Sequence, residues 1–164
     1  LVLVALAAYL YGQSLIRKVA AVLLLLGAIA LAIPTTNTSD PTTSSRALAD
    51  GQIAWSAAAL DDHLNRGDPI FVDVTADWCI TCLANEAAVL FTTEVEQAFI
   101  SADISYMIAD WTDYDADIGA FVKSHGRSGI PLYVMYPRGK GSEPIILPQL
   151  LTRDIVLSAI ENAR

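Results

Sequence analysis

The pattern of hydrophobic and polar residues separates an almost uniformly apolar start from a longer part in which short apolar runs alternate with amphipathic segments. Three of these runs, at residues 70–75, 104–109 and 132–136, contain β-branched and aromatic residues and predict buried strands. A fourth run at 144–147 follows the turn sequence Gly139-Lys140-Gly141, which predicts a hairpin with the third strand.

Amphipathic segments between and around these strands have the spacing of helices. The first is closed by Gly67, and the last begins after Thr152, a residue type suited to the N-cap. Together with the strands, they predict an α/β fold in which helices flank a sheet with a parallel half and a hairpin half. The predicted helices cover residues 55–66, 79–90, 94–100, 115–125 and 152–163.

The apolar start predicts a membrane anchor, since 27 of the first 33 residues are apolar. Residues 1–11 are too few to cross a bilayer and are interpreted as the end of a transmembrane helix, whereas residues 15–33 form a second candidate. Arg17 and Lys18 mark the cytoplasmic side, so the rest of the chain is expected on the opposite face, which in a bacterium is the periplasm. A signal peptide is the alternative, and both interpretations export the remaining chain.

Composition and charge distinguish the residues after this apolar start. Residues 34–46 are mainly Thr, Ser and Pro without a large apolar side chain, as in a flexible tether, which leaves 47–164 as one domain. All 18 acidic residues lie at or after Asp40, and beyond Lys18 they outnumber 8 cations to give a net charge of −10. Such a surface repels phosphate backbones, which argues against nucleic acid binding.

The two cysteines carry the most specific chemistry of the sequence. Cys79 and Cys82 form a Cys-Ile-Thr-Cys motif that follows a predicted strand and opens a predicted helix. Unsatisfied N–H groups and the dipole at a helix N-terminus stabilise a thiolate. Cys79 is therefore predicted to be the exposed nucleophile that attacks a partner's disulfide, and Cys82 to resolve the mixed disulfide.

The cysteine pair and the acidic residues have other interpretations. A structural disulfide would suit an exported protein, although a loop of two residues constrains the unfolded chain little. Zinc needs four ligands, and His63 and His125 have no ligand spacing to the cysteines. The acidic stretch 113–117 does not form a calcium loop, because Ile118 and Ser124 occupy the positions of the required Gly and Glu. That stretch instead predicts a turn that supplies acidic residues to a helix N-terminus.

Two further acidic residues are candidates for proton exchange with the pair. Asp73 lies in the middle of an apolar run, where a carboxylate without a function would carry a large desolvation cost. We expect it beneath the cysteines, exchanging a proton with Cys82; a half-exposed strand that leaves Asp73 in water is the alternative. Glu86 shares a helical face with both cysteines and is expected either to assist this exchange or to be an ordinary solvated side chain.

Candidate contact residues for a partner lie beside the cysteines and before the third strand. Trp78 precedes the nucleophile and would either cover the pair as a flat apolar surface or belong to the core. The Ile130-Pro131 bond would be tolerated there as trans, whereas a cis bond would make a tight turn that exposes backbone. The sequence pattern leaves both alternatives open.

Several motifs together resemble the thioredoxin superfamily, and more closely the C-terminal periplasmic domain of DsbD-type thiol:disulfide interchange proteins. The segment from Val72 to Cys82, which reads Val-Asp-Val-Thr-Ala-Asp-Trp-Cys-Ile-Thr-Cys, is similar to the active-site segment of that domain. Glu86 matches a second acidic residue, and Asp110-Trp111-Thr112 resembles a later motif. The resemblance covers residues 47–164 and implies a thioredoxin-like fold.

The resemblance also implies a function and a role for Pro131 as the family's cis-proline opposite the disulfide. A DsbD-type domain receives electrons from a membrane dithiol and passes them to periplasmic thioredoxin-like or disulfide-isomerase acceptors, with no metal or organic cofactor. Two departures matter: Leu132 replaces the Thr of ordinary thioredoxins, which bears on partner choice, and residues 1–33 lack cysteine, so donor cysteines would lie upstream. A reductase for cytochrome c maturation and a redox-inert interaction module are the alternatives.

Overall fold

The computed structural model describes residues 48, 49 and 51–164, which form a five-stranded sheet with helices on both faces. The strand order across the sheet is β1-β3-β2-β4-β5. Strands β1, β3 and β2 run parallel, whereas β4 is antiparallel to β2 and β5 is antiparallel to β4. The strands are β1 (Gln52–Ala54), β2 (Ile70–Thr75), β3 (Ser105–Asp110), β4 (Leu132–Tyr136) and β5 (Ile145–Ile146).

Within the described residues, five α-helices connect and cover these strands. Ser56 caps the first helix, because its hydroxyl accepts a hydrogen bond from the Ala59 N–H, and Gly67 ends it in the left-handed conformation with φ 79°. Thr152 caps the last helix through the Ile155 N–H, as the sequence predicts. The helices are α1 (Ala57–Arg66), α2 (Ile80–Asn85), α3 (Thr93–Ser101), α4 (Ala116–Ser124) and α5 (Arg153–Ala163).

Alternating side chains of the central strand β2 serve two separate cores. Phe71 points to the face covered by α3 and α5, where its ring lies 5.1 Å from that of Phe99 and 5.2 Å from that of Tyr106. Val72 and Val74 point to the opposite face, which is covered by α1 and α4. All six residues of β2 are buried, as expected for a strand enclosed on both faces.

The predicted α/β fold with a mixed sheet is confirmed, and the predicted strands at 70–75 and 132–136 match β2 and β4. Strand β1 was not predicted, because its three residues are too few to show an alternating pattern. The predicted strand at 144–147 is reduced to the two residues of β5, although the Leu147 N–H still donates to the Tyr133 carbonyl.

The predicted helix at 79–90 is helical over residues 80–90, but its second half is π-helical rather than α-helical. Helix α2 ends at Asn85 and continues into a π-helical turn, Glu86–Leu90, in which the Phe91 N–H donates to the Glu86 carbonyl. Such π-helical turns are rare and occur mostly as single turns within α-helices. Here both Asn85 and Glu86 are buried and hydrogen-bonded to other elements, which fixes the end of α2.

The membrane segments predicted at residues 1–11 and 15–33, and the tether predicted at 34–46, lie outside the described residues. In the part of the chain that the structure describes, no helix has both the length and the apolar character needed to cross a bilayer.

Asn85 joins the end of α2 to β4 and to the segment before α5. Its Nδ2 donates to the Tyr133 hydroxyl at 3.0 Å and to the Gln149 carbonyl at 2.7 Å. Its Oδ1 accepts from the Leu151 N–H at 3.2 Å. Because Asn85 is only 6% exposed, solvent does not compete effectively for these hydrogen bonds.

We expect Asn85→Ala to lower the free energy of unfolding by about 2–4 kcal/mol, because it removes the partner of the Tyr133 hydroxyl in β4 and of two backbone groups in the segment before α5. Urea unfolding followed by circular dichroism measures the change. The matched control is Asn65→Ala on α1, where Asn65 is exposed and the expected change is within about 0.5 kcal/mol. Equal effects of the two substitutions would show that the Asn85 contacts do not stabilise the fold.

Candidate active site

Cys79 and Cys82 form a disulfide at the N-terminus of α2, with their Cα atoms 5.2 Å apart. Cys79 is the N-cap residue, and its Sγ accepts a hydrogen bond from the Cys82 N–H at 3.3 Å. The motif therefore lies where the sequence predicts it, after β2 and at the N-terminus of α2. In this position a thiolate on Cys79 would face the N–H groups of the first helical turn.

The two cysteines differ in exposure. Cys79 is 7% exposed and Cys82 is completely buried. Cys79 is thus much less exposed than the sequence suggests, because Ala76 and Ile130 pack around the pair. A partner can reach this disulfide only from the side of Cys79.

The Ile130-Pro131 peptide bond is cis, which resolves the two alternatives left open by the sequence. It directly precedes β4, and the partly buried Ile130 side chain packs against Cys79 and Cys82. This bond and the cysteine pair therefore belong to one site, although they are far apart in the sequence.

Trp78 forms an exposed aromatic surface beside the disulfide rather than part of the core. Its side chain is 45% exposed, and its Nε1 donates to the Thr112 carbonyl at 3.0 Å. Thr112 is itself held by Asp110, whose Oδ1 accepts from both the N–H and the hydroxyl of Thr112. The Thr112 hydroxyl oxygen also accepts from the Asp77 N–H at 3.0 Å. The loop after β3 thus fixes the residues that precede Cys79.

Tyr114 is a contact candidate that the sequence analysis missed. Its ring stacks on Trp78, with centroids 5.2 Å apart and planes 13° from parallel, and it is 65% exposed. Its φ of 57° lies in the left-handed region, which is uncommon for a residue other than Gly. No periodic signal could reveal this stack, because it depends on the turn that precedes α4. In that turn Asp115 caps α4 and Asp117 lies in its first turn, as predicted for the acidic stretch.

The two candidate acids are buried on the face of the sheet that α2 and the π-helical turn cover. Asp73 is 0% exposed, and its Oδ2 accepts from the Tyr106 hydroxyl at 2.7 Å. Glu86 is 2% exposed, and its Oε1 accepts from the Thr75 hydroxyl at 2.6 Å. The alternatives of a half-exposed Asp73 and a solvated Glu86 are therefore wrong.

The two carboxylates also contribute to raising the pKa of the tyrosines around them. Burial raises the pKa of Tyr106 well above its ordinary value, and the neighbouring Asp73 and Glu86 charges raise it further. Burial likewise raises the pKa of Tyr133, with added contributions from Asp73 and Glu86. Both tyrosines therefore keep their protons, and both acids lie close enough to act on the same two hydroxyls.

Neither of the two histidines belongs to the element that carries the cysteine pair. His63 is in α1, with its Nδ1 4.0 Å from Asp68, and His125 follows α4, with its Nε2 3.0 Å from the Tyr136 hydroxyl. Among residues 48–49 and 51–164, no group of three or more His, Cys, Asp or Glu side chains is arranged to hold a metal ion.

The sheet, the bonded cysteine pair and the cis-proline define the thioredoxin-like fold of disulfide oxidoreductases. The chain belongs to the thioredoxin-like family, whose sequence model matches residues 52–137. A comparison with curated proteins gives no match.

Solved structures show the same fold. The reduced form of the Neisseria meningitidis DsbD C-terminal domain is 24% identical, covering 68% of this chain and 100% of that domain, with a TM-score of 0.54. Its oxidised form matches with the same identity and TM-score, covering 68% of this chain and 99% of that domain. A thioredoxin from Thermus thermophilus is 17% identical, covering 68% of this chain and 85% of that protein, with a TM-score of 0.53.

We expect Tyr114→Ala to raise KM for a protein disulfide about 3-fold, because an aromatic pair contributes about 0.5–1.5 kcal/mol and supports the exposed face of Trp78. The rate with Ellman's reagent, a small disulfide, should not change. Steady-state kinetics with both substrates measure the two effects. The control is Ile100→Ala, which removes an exposed apolar side chain from α3 and should leave both rates unchanged. An unchanged KM for the protein substrate in Tyr114→Ala would exclude this surface from partner contact.

Proposed function

We propose that this chain is a membrane-anchored protein-disulfide reductase that passes electrons from a membrane dithiol to periplasmic thioredoxin-like acceptors through Cys79 and Cys82. The observation that carries the proposal is the disulfide at the N-terminus of α2, reachable at Cys79 and adjacent to the cis Ile130-Pro131 bond. A disulfide that only stabilised the fold would not need an exposed aromatic surface beside it.

The proposed reaction is two successive thiol–disulfide exchanges. In the reduced protein, the Cys79 thiolate attacks the acceptor's disulfide, forms a mixed disulfide and releases one acceptor thiolate. The Cys82 thiolate then attacks Cys79 Sγ, the Cys79–acceptor bond breaks, and the second acceptor thiolate leaves. Two electrons pass to the acceptor, and the Cys79–Cys82 disulfide forms. The membrane dithiol reverses these steps at the same pair and so restores the reduced state.

The burial difference within the pair supports this order of attack. Cys79 has accessible surface and lies at the positive end of the α2 dipole, which favours the nucleophilic thiolate. Cys82 is fully buried, so it cannot meet an acceptor directly and reacts only with Cys79. Because burial also disfavours a charged thiolate, Cys82 requires a nearby proton acceptor, the role proposed for Asp73 with assistance from Glu86.

Trp78, Ile130 and Pro131 are proposed to bind the acceptor. Trp78 presents its ring at the surface next to Cys79, and Ile130 packs on the disulfide from the side of the cis bond. An acceptor segment placed between these residues would bring its disulfide to Cys79. The match to a DsbD domain crystallised in both reduced and oxidised forms supports a cysteine pair that cycles between the two states.

The proposed location is the bacterial inner membrane, with the thioredoxin-like domain in the periplasm. The support comes from the sequence: the apolar segments at 1–11 and 15–33, the cations Arg17 and Lys18, and the polar tether at 34–46. The membrane dithiol is proposed to consist of cysteines other than Cys79 and Cys82, which are the two cysteines of this sequence.

We expect Cys79→Ala to abolish electron transfer to a protein disulfide and Cys82→Ala to accumulate mixed disulfides, because only the second variant retains the attacking thiol. Non-reducing electrophoresis and mass spectrometry of the trapped complex measure both outcomes. Ser158→Ala, a substitution of an exposed hydroxyl on α5, is the control and should retain wild-type exchange. Wild-type exchange by both cysteine variants would reject the proposed function.

A glutathione redox titration tests whether the disulfide is catalytic or merely structural. Structural disulfides of exported proteins resist reduction down to roughly −300 mV, whereas thioredoxin-type pairs are reduced at about −270 mV or above. We expect the Cys79–Cys82 pair in the second class. If the pair stays oxidised in a buffer at about −300 mV, the disulfide is structural, and the alternative of a redox-inert interaction module is favoured.

The orientation of the chain is tested with fusions at Arg164. Alkaline phosphatase folds only after export, so a fusion there is expected to be active, whereas a fused cytoplasmic reporter enzyme is expected to be inactive. Reversing the charge of Arg17 and Lys18 to Glu should reduce the phosphatase activity. An inactive phosphatase fusion with an active cytoplasmic reporter would contradict the proposed location without affecting the exchange chemistry.

A further inference from the structure

Tyr106 places a buried hydroxyl on the carboxylate of Asp73. Tyr106 lies in β3, and its hydroxyl donates to Asp73 Oδ2 at 2.7 Å. The residue that pairs with Asp73 across the ladder is Ile108, so Tyr106 reaches the carboxylate diagonally from two residues away. Tyr106 is 8% exposed, so solvent does not compete effectively for this bond.

The ring of Tyr106 is fixed by three neighbouring phenylalanines. Its centroid lies 5.2 Å from that of Phe71, 6.2 Å from that of Phe91 and 5.3 Å from that of Phe99. A phenylalanine at position 106 would fill the same apolar space without the cost of burying a hydroxyl. The hydroxyl is therefore not required for packing, and its partner is a carboxylate that faces the side of the sheet covered by α2.

The hydroxyl remains a donor over the working pH range. Burial is the main cause that raises the pKa of Tyr106 well above its ordinary value, and the Asp73 charge adds to it. The phenol therefore keeps its proton wherever the cysteines exchange disulfides. A neutral O–H that donates to a carboxylate stabilises the charged form of the acid relative to its protonated form.

Other titratable groups come from the neighbouring strand β4 and from the segment that covers this face of the sheet. Tyr133 lies opposite Asp73 in the ladder with β4, and its hydroxyl accepts from Asn85 Nδ2. Glu86 comes from the π-helical turn, where it accepts from Thr75. Cys82 comes from α2, at the start of the same covering segment. The hydroxyl of Tyr106 donates the hydrogen bond to Asp73 Oδ2.

We propose that Tyr106 is a positioning residue for the Cys82 step, whose hydroxyl holds the Asp73 carboxylate in the orientation and charge state that accepts the Cys82 proton. This inference rests on the proposed function. In the step, the Cys82 thiol gives its proton to Asp73, its sulfur attacks Cys79 Sγ, and the bond from Cys79 to the acceptor breaks. The acceptor thiolate carries away the electron pair of that bond, and protonated Asp73 later releases its proton.

The test measures the Cys82 step separately with the reduced full chain and Ellman's reagent in a stopped-flow instrument. The first thionitrobenzoate leaves when Cys79 attacks the reagent, at a rate proportional to reagent concentration. The second leaves when Cys82 attacks Cys79, at a rate independent of reagent concentration. The pH dependence of the second release therefore reports the proton acceptor of Cys82.

We expect Tyr106→Phe to move the midpoint of the second release upward by about one pH unit, because the carboxylate loses a hydrogen bond that favours its charged form. The first release should be unchanged. Incorporation of 3-fluorotyrosine at position 106 keeps the shape but strengthens the donor, so the midpoint should move downward. The two side chains differ little in size, so midpoint shifts in opposite directions cannot come from a general loss of folding.

The matched control is Tyr136→Phe, which removes the hydroxyl of a β4 tyrosine from the opposite core and should leave the midpoint unchanged. Asp73→Asn should remove the rising limb of the profile, and adding Tyr106→Phe to it should have no further effect. A midpoint unmoved by both changes at position 106, or a further effect of Tyr106→Phe in the Asp73→Asn background, would overturn the role of Tyr106 alone. Absence of any second release in the wild type would instead contradict the proposed function.

Discussion

A carboxylate in the middle of a fully buried strand is tolerated only where fixed polar groups replace the water that it has lost. Asp73 meets this requirement through the Tyr106 hydroxyl. Glu86, which is buried in the π-helical turn, has the hydroxyl of Thr75 as its partner, two residues beyond Asp73 in β2. The second contact ties the segment after α2 to the central strand. The position of the disulfide therefore depends on how these acids are accommodated as well as on apolar packing.

Helix α2 is short, and its two ends have different tasks. Its N-terminus presents Cys79, whereas its C-terminus is fixed by the side chains of Asn85 and Glu86. With only six residues, the helix could not hold its orientation by its own hydrogen bonds. Polar anchors at its end are directional, so they define the orientation of the helix more narrowly than apolar contacts would.

The sequence predicts those elements whose signal is local. The apolar run of β2 and the cap at Thr152 belong to this group, and so does the position of the cysteine motif between strand and helix. The burial of Glu86 could not be predicted, because it depends on a contact with Thr75 in the preceding strand. The stack of Tyr114 on Trp78 and the cis form of the Ile130-Pro131 bond likewise depend on contacts between distant segments.

The same arrangement gives two chemically similar thiols different environments. Cys79 lies at the end of α2 where the helix dipole is positive, and it retains some access to partners. Cys82 is enclosed on the side of the sheet where two carboxylates are buried, and negative charge there disfavours a second thiolate. In the proposed mechanism this asymmetry sets the order of the two exchanges. The first exchange needs Cys79 to be a thiolate before the acceptor arrives, whereas the second needs a Cys82 thiolate only after the mixed disulfide has formed.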